Sequence, residues 1–325
     1  MRFFVIFILV ALLAYSSAQR LPMHHRPQKQ QGPKNDTLEA IILMEPELFL
    51  IAKAFSFAAA QLNPIRARLR DPNSQITIFA PSNVAVTGAL DIGFDTSVIS
   101  NMLYYHIVDG ILTTDHFVSD YPIKTNLGAQ GAVNLPNNEH QVLIANKAGT
   151  AVSVSYGVGN ATITKGNIRA SNGVLHIIDR VLRIPGAPSE VARKIGLTKL
   201  ATAFNTTQPN PDNMQGITIF APNDEALSNS NNASDVLKRH IFNQVVYSNN
   251  FTNQTLTNSQ GVKLTFSNST GVPTLSDGSS TVRIVRKNVL TTNGVIHVID
   301  GVLSANTTSK SSSPAGFEDV LRAGF

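Results

Sequence analysis

Cysteine is absent from the 325 residues, and so is tryptophan. Without thiols the chain forms no disulfide, offers no cysteine nucleophile and builds no zinc–thiolate or dithiol redox centre. Its stability must therefore come from apolar cores alone. Charge is also scarce, at 14% of residues, and Ser, Thr and Asn fill the surface instead. The net charge of +5 belongs to the beginning of the chain. Arg2, Arg20, Arg26, Lys29 and Lys34 stand in residues 1–34 with no acid among them. Setting those five aside from 26 leaves 21 basic against 21 acidic residues. A charge-balanced body gives no reason to expect nucleic acid as a partner. Catalytic signatures are missing too. There is no G-x-S-x-G elbow, H-E-x-x-H helix, G-x-x-x-x-G-K loop or EF-hand template. The chain is read as a non-enzyme, with no metal and no cofactor.

Long apolar runs are lacking except at the start. "MRFFVIFILVALLAYSSAQ" has one basic residue, an apolar stretch to about Ala14, and small residues around Ala18. That is the pattern of a secretory signal, too short to span a membrane comfortably. Residues 1–18 are assigned to it. Residues 19–35, basic and rich in Pro and Gln, read as a disordered leader. Residues 306–325 read as a polar tail without the hydrophobic end of a glycolipid anchor. Eight N-x-Ser/Thr sequons follow the signal, at Asn35, Asn160, Asn205, Asn232, Asn250, Asn253, Asn268 and Asn306. Together they predict a glycosylated extracellular protein.

What the chain does have, it has twice. "ITIFAPSNVAV" starts at Ile76 and "ITIFAPNDEAL" at Ile217. "NGVLHIIDRVL" starts at Asn172 and "NGVIHVIDGVL" at Asn293, with eight of eleven residues identical. The first pair is 141 positions apart and the second 121, so the repeat is elastic. Two landmarks in fixed order with a variable interval indicate duplicated domains rather than a solenoid. The boundaries are placed at 36–185 and 186–305.

Each half reads as helices, a strand, more helices, then several short strands, an α+β order. Asp36 or Thr37 caps a helix from Leu38. "PELFLIAKAFSFAAAQL", apolar nearly all round, is expected deep in a core. "QITIFAP" is a strand ended by Pro81, and Ser82 or Asn83 caps the helix after it. Asn223 caps the second copy, with Asp224 and Glu225 in its first turn. "RIPGAPSE" is the link between halves, with Ser189 capping the next helix.

The duplicated histidines are the residues to question. On a strand, His176 shares a face with Val174 and Ile178, while Asp179 shares the other with Leu175 and Ile177. His297 and Asp300 repeat this parity. A His and an Asp on opposite faces do not converge on one metal or substrate atom, so these four are read as structural. His106 and His240 form a second pair, near the end of a helix. Tyr104, Tyr105 and His106 are read as a helix end packed on the sheet, with His106 near its negative C-terminus, and the alternative is an exposed aromatic–imidazole patch for a partner. The second copy has Lys238 and Arg239 where the first has two tyrosines.

"TIFAPSNVA", "YYHIVDG" and "NGVLHIIDRVL", and again "TIFAPNDEAL", "LKRHIFNQ" and "NGVIHVIDGVL", closely resemble the fasciclin-like repeat. The resemblance covers both halves. It implies two tandem domains, each a β-wedge of two sheets with packed helices. It implies a secreted or surface-bound adhesion glycoprotein and not an enzyme. The family's Tyr-His adhesion motif falls on Tyr105 and His106 as binding residues. Arg239 replaces the tyrosine beside His240. The expected function is to bind or bridge an extracellular-matrix, cell-wall or cell-surface protein or glycan, with no membrane span. The alternatives are a polysaccharide-active enzyme with two carboxylates assembled from distant loops, and a carrier with an apolar pocket.

Overall fold

A computed structural model describes residues 36–57, 63–89, 96–128, 132–229, 232–253, 255–268 and 271–304. The signal, leader and tail assignments lie outside these residues, as do Asn35 and Asn306.

Each half is built on one mixed seven-stranded sheet. The first contains β1 (Ile76–Pro81), β2 (Ile107–Asp109), β3 (Pro122–Lys124), β4 (Val142–Ala148), β5 (Ala151–Ser155), β6 (Asn160–Ala170) and β7 (Gly173–Ile178). Their order is β2-β1-β7-β6-β5-β4-β3. The second sheet contains β8 (Ile217–Pro222), β9 (Ile241–Phe242), β10 (Leu256–Thr257), β11 (Lys263–Ser267), β12 (Thr274–Ser276), β13 (Thr281–Thr291) and β14 (Gly294–Ile299), in the order β10-β11-β12-β13-β14-β8-β9. The order is the same in both. The two repeated landmarks are neighbours: β1 pairs with β7, and β8 with β14, in parallel. This pairing explains the elastic repeat. The landmarks must meet in register, while the hairpins between them can lengthen.

The 11-residue β6 makes the wedge. Its first part pairs with β5 and its last part with β7, across two register shifts at Ile163–Lys165 and Lys165–Ile168. Bulges bend a strand and increase its twist, so one continuous sheet turns into two faces. β13 (Thr281–Thr291) does the same in the second half. Asn167 and Asn288 take positive φ at these bulges, 59° and 54°, a conformation Asn tolerates better than most residues.

Central strands β1, β7, β8 and β14 are buried along their whole length. The parity read from the sequence holds. Leu175 and Ile177 pack beneath helix α1 (Leu38–Met44) with Leu38 and Ile42. Phe79 and Ile178 face the opposite core with Phe117 and Leu182. Gly173 and Gly294 are required by that packing. A Cβ at Gly173 would lie 2.1 Å from the Ile76 carbonyl oxygen, and one at Gly294 only 1.8 Å from that of Ile217.

Several caps appear where expected. Thr37, Ser82 and Asn223 accept from the backbone N–H groups of Ala40, Ala85 and Ala226. Asn83 instead turns inward, accepting from Leu50 N–H at 2.9 Å and donating to the Pro46 carbonyl at 2.8 Å. Three expectations need correction. The "PELFLIAKAF" segment is a short 3-10 turn, Pro46–Leu48, followed by helix α2 (Phe49–Phe57). Leu48, Leu50 and Ala52 are buried but Lys53 is exposed, so it covers the core with one face. Ser189 is inside helix α6 (Pro188–Lys194) and does not cap it. Asp212 does, accepting from Ser189 N–H at 2.8 Å and from its hydroxyl. Asp224 likewise serves another helix. It accepts from the N–H groups of Thr198 and Lys199, which open α7 (Thr198–Ala203). Both carboxylates sit where free N–H groups and the helix dipole attract negative charge.

The modules touch directly. Asn134 N–H donates to Thr292 O at 2.8 Å, and its amide to Met214 O at 3.1 Å. Gln141 donates to Thr291 O at 2.9 Å, and Gln215 to Leu135 O at 2.8 Å. Val142 and Ile144 pack on Leu290, with Tyr247 at the edge, and Lys287 pairs with Asp120. The Gly186 carbonyl in the connecting segment accepts from Thr292 N–H at 2.9 Å.

Candidate functional site

For Tyr105 and His106 the sequence offers a packed helix end or, as the resemblance implies, an exposed binding patch. The packed helix end is what forms. Helix α5 (Thr96–Tyr105) runs straight into β2, and the junction is drawn under the sheet. Tyr105 is 0% exposed and His106 4%. Tyr105 Oη donates to Val142 O at 2.9 Å. Burial, with Tyr247 and Tyr156 nearby, raises its pKa well above the ordinary phenol value. His106 Nδ1 donates to Met102 O at 2.6 Å, and its Nε2 accepts from Leu182 N–H at 3.0 Å. Both side chains are enclosed by the fold. Both tie the helix end to distant segments, Leu182 standing just before the connection between modules.

His240 copies this arrangement at the end of α8 (Ala233–His240). Its Nδ1 donates to Val236 O at 2.6 Å, and Nε2 accepts from Leu303 N–H at 3.0 Å. Arg239, in the tyrosine's place, offers no equivalent hydroxyl. Burial pushes the pKa of both His106 and His240 down to about 4.

The closing-strand histidines use the opposite tautomer. His176 Nε2 donates to Leu112 O at 2.7 Å while Nδ1 accepts from Asn167 N–H at 3.3 Å. His297 Nε2 donates to Val246 O at 2.9 Å, and Nδ1 accepts from Asn288 N–H at 3.3 Å. Each ring stacks on the phenylalanine of the opening motif, His176 on Phe79 at 5.6 Å and His297 on Phe220 at 5.4 Å. Burial lowers the pKa of His176, and brings that of His297 to about 4. All four imidazoles are neutral links between backbone segments. With both nitrogens committed, none is free to act on a substrate. Asp179 and Asp300 close the outer end of the β6–β7 and β13–β14 hairpins, accepting from Thr162 N–H at 2.7 Å and Arg283 N–H at 2.8 Å.

Further duplicated residues escaped sequence reading. Thr77 donates to Gly110 O and accepts from Leu112 N–H; Thr218 does so with Gln244 O and Val246 N–H. Asn167 and Asn288 clasp the backbone and hydroxyls of Thr114 and Ser248. Asn172 and Asn293 are buried and pin the chain before β1 and β8. The signal was present as matched spacing: Asn167 to Asn172 and Asn288 to Asn293 are both five apart.

These polar braces hold one wall of a groove in the first module. It has a volume of about 310 Å³ and lies between the segment after β2 and strand β3. Asp109, Leu112, His116, Phe117, Tyr121 and Lys124 are among its lining residues. Among the described residues no group of three or more His, Cys, Asp or Glu stands together to hold a metal. No helix among them is long and apolar enough to cross a membrane. The sequons Asn160, Asn205, Asn232, Asn250 and Asn268 are all exposed.

The sequence profile of the fasciclin domain matches residues 53–185 and again 193–305. The chain belongs to the fasciclin domain family. A fasciclin-like arabinogalactan protein of Phaeosphaeria nodorum is 26% identical over 260 residues, 72% of this chain and 79% of that protein. One from Cercospora beticola is 27% identical over 252 residues, 70% and 67% of the two chains. Fasciclin-like arabinogalactan protein 12 of Arabidopsis thaliana is 24% identical over 185 residues, 55% and 71%. Among solved structures, the domain pair of the insect cell adhesion molecule fasciclin I matches with a TM-score of 0.37 and 19% identity. It covers 77% of this chain and 97% of that one. The two matched segments give this chain a tandem fasciclin architecture. Its relatives form a family associated with adhesion and typically extracellular.

Proposed function

We propose that this fasciclin-domain chain is a secreted glycoprotein that binds or bridges components of an extracellular matrix, cell wall or cell surface. The modules take part as units 36–185 and 186–305. The observation that carries the reading is the joint between them. A buried hydrogen bond from Gln141 to Thr291 and a partly exposed one from Asn134 to Thr292 hold one module against the other. Two weak surfaces held at fixed separation bind an extended or repetitive target with more avidity than either alone. The exposed sequons, five of them among the described residues, suit a surface that works in a glycan-rich environment.

Tyr105 and His106 enter this function as positioning residues. Tyr105 holds Val142, whose N–H is held by Gln141, which crosses to Thr291. His106 holds Leu182 at the exit of the first module. The pair thus sets the mutual angle of the modules, and its influence on adhesion is indirect.

The test is retention of the purified, glycosylated chain on intact cells and on isolated wall and matrix material. Saturable retention supports the reading. Absence of retention on every surface refutes it.

A further inference from the structure

In the first module the sheet nearly closes on itself. A single bridge, Val108 to Thr125, joins the two outer strands β2 and β3. Past that bridge they part, and the groove opens between them. Phe117, buried, forms its floor and packs edge-on against His176, with ring centroids 5.9 Å apart. On the rim Tyr121 is 56% exposed and Val118 64%. The wall is braced before any ligand arrives. Leu112 is held through its carbonyl by His176 and through its N–H by Thr77. Thr114 is held by Asn167.

The polar groups of the groove differ in how far they are already committed. The Asp109 carboxylate accepts from Arg68 at 2.6 Å and from Asn126 at 3.3 Å. Its charge is answered within the protein. His116 Nδ1 accepts from Thr113 N–H at 3.1 Å, so Nε2 carries the ring proton and is a donor. Lys124 lines the groove, and among the described residues no carboxylate pairs with it. The uncommitted groups are thus a cation, an imidazole N–H and the hydroxyl of Tyr121. They call for a ligand with an anionic group and further oxygen acceptors. The half-exposed Tyr121 ring calls for an apolar ring face beside that anion. A nucleotide phosphate is poorly served by one lysine on a charge-balanced body. The chemistry that meets all three demands is a pyranose ring bearing a carboxylate. Its C–H face lies on an aromatic ring, its acid meets an ammonium, and its hydroxyls reach the rim.

We propose that this groove of the first module binds a uronic-acid residue of an acidic extracellular polysaccharide, with Lys124 meeting the carboxylate and Tyr121 carrying the ring. The proposal rests on the adhesion reading and names the ligand through which the first module serves it. The site is confined to one copy. Ile123 pairs with Leu143 in the first module and Leu256 with Leu264 in the second, so the uncharged Thr257 stands in the place of Lys124. One module therefore reads the acidic glycan, and the other is left to a different surface.

The test is calorimetric titration of the full glycosylated chain with an oligogalacturonate, a neutral oligosaccharide of equal length, and benzoate. Lys124→Gln and Tyr121→Ala are titrated beside it, with melting curves to show that both stay folded. The oligogalacturonate is expected to bind saturably, more weakly at higher salt, and about tenfold more weakly to each variant. The neutral sugar and benzoate are expected to bind far less. No binding, equal binding of the neutral sugar, equal binding of benzoate, or full affinity in both variants each overturns the proposal. Retention on wall material without oligogalacturonate binding removes the groove but leaves the adhesion reading. Binding of the acidic sugar without retention does the reverse.

Discussion

Replacing His297 by alanine tests the claim that the repeated histidine is a structural link. Its imidazole is fully buried, donates to Val246 O, and accepts from Asn288 N–H. Alanine leaves both backbone groups without a partner, in a place water does not reach. Each such loss costs about 1–3 kcal/mol. The ring also stacks on Phe220 and meets Phe251 edge-on at 4.9 Å. Those contacts contribute about 0.5–1.5 kcal/mol, and a void replaces them. The losses are not additive, because the two loops relax once released. A total of about 3–5 kcal/mol is expected. For a module of this size that lowers the melting point by roughly 10–20 °C if it melts alone, and about half as much if the modules melt together. His297→Gln is the informative control. Its amide reaches the place of Nε2 and donates to Val246 O, so it recovers about 1–2 kcal/mol. The assay is differential scanning calorimetry near neutral pH. An alanine variant melting within about 2 °C of the parent refutes the buried-link account.

The neutral histidines give the protein a defined acid limit. The folded pKa of His106, His240 and His297 is about 4, below the unfolded value near 6.5. Between those values the unfolded chain binds more protons, so stability falls as pH drops from about 6.5 to about 4. The contribution of each is on the order of 3 kcal/mol. Melting temperatures that stay flat from pH 7 to 4.5 sink this idea. Gly294→Ala drives a Cβ into the Ile217 carbonyl at the parallel β8–β14 pairing. It is expected to cost about 3 kcal/mol or more, and soluble expression with an unchanged melt contradicts it. Tyr105→Phe removes one buried hydrogen bond, about 1–2 kcal/mol. If it also sets the joint, solution scattering shows a broader distribution of module separations; an unchanged profile disproves the positioning role. Asn172→Ala frees Leu38 N–H and the Leu69 and Asp71 carbonyls together, so a loss of about 2–4 kcal/mol is expected in chemical denaturation.

The sequence by itself determined the duplication, the two modules, the central strands and the structural character of His176 and His297. Those features are local or periodic. A buried strand is a run of β-branched and aromatic residues, and a strand's two-residue period places His and Asp on opposite faces whatever surrounds it. The caps at Thr37, Ser82 and Asn223 were legible for the same reason, since a cap acts within three residues. Tertiary structure decided the rest. Whether Tyr105 and His106 faced solvent depended on what lay over the end of their helix, namely Val142 and Leu182, 37 and 76 residues away. Asp212 and Asp224 cap helices they do not belong to, through contacts no local pattern records. The groove is the clearest case. Asp109, His116, Tyr121 and Lys124 carry no motif. They become a site because two sheet edges approach at the Val108–Thr125 bridge and part beyond it, a pairing no local pattern records.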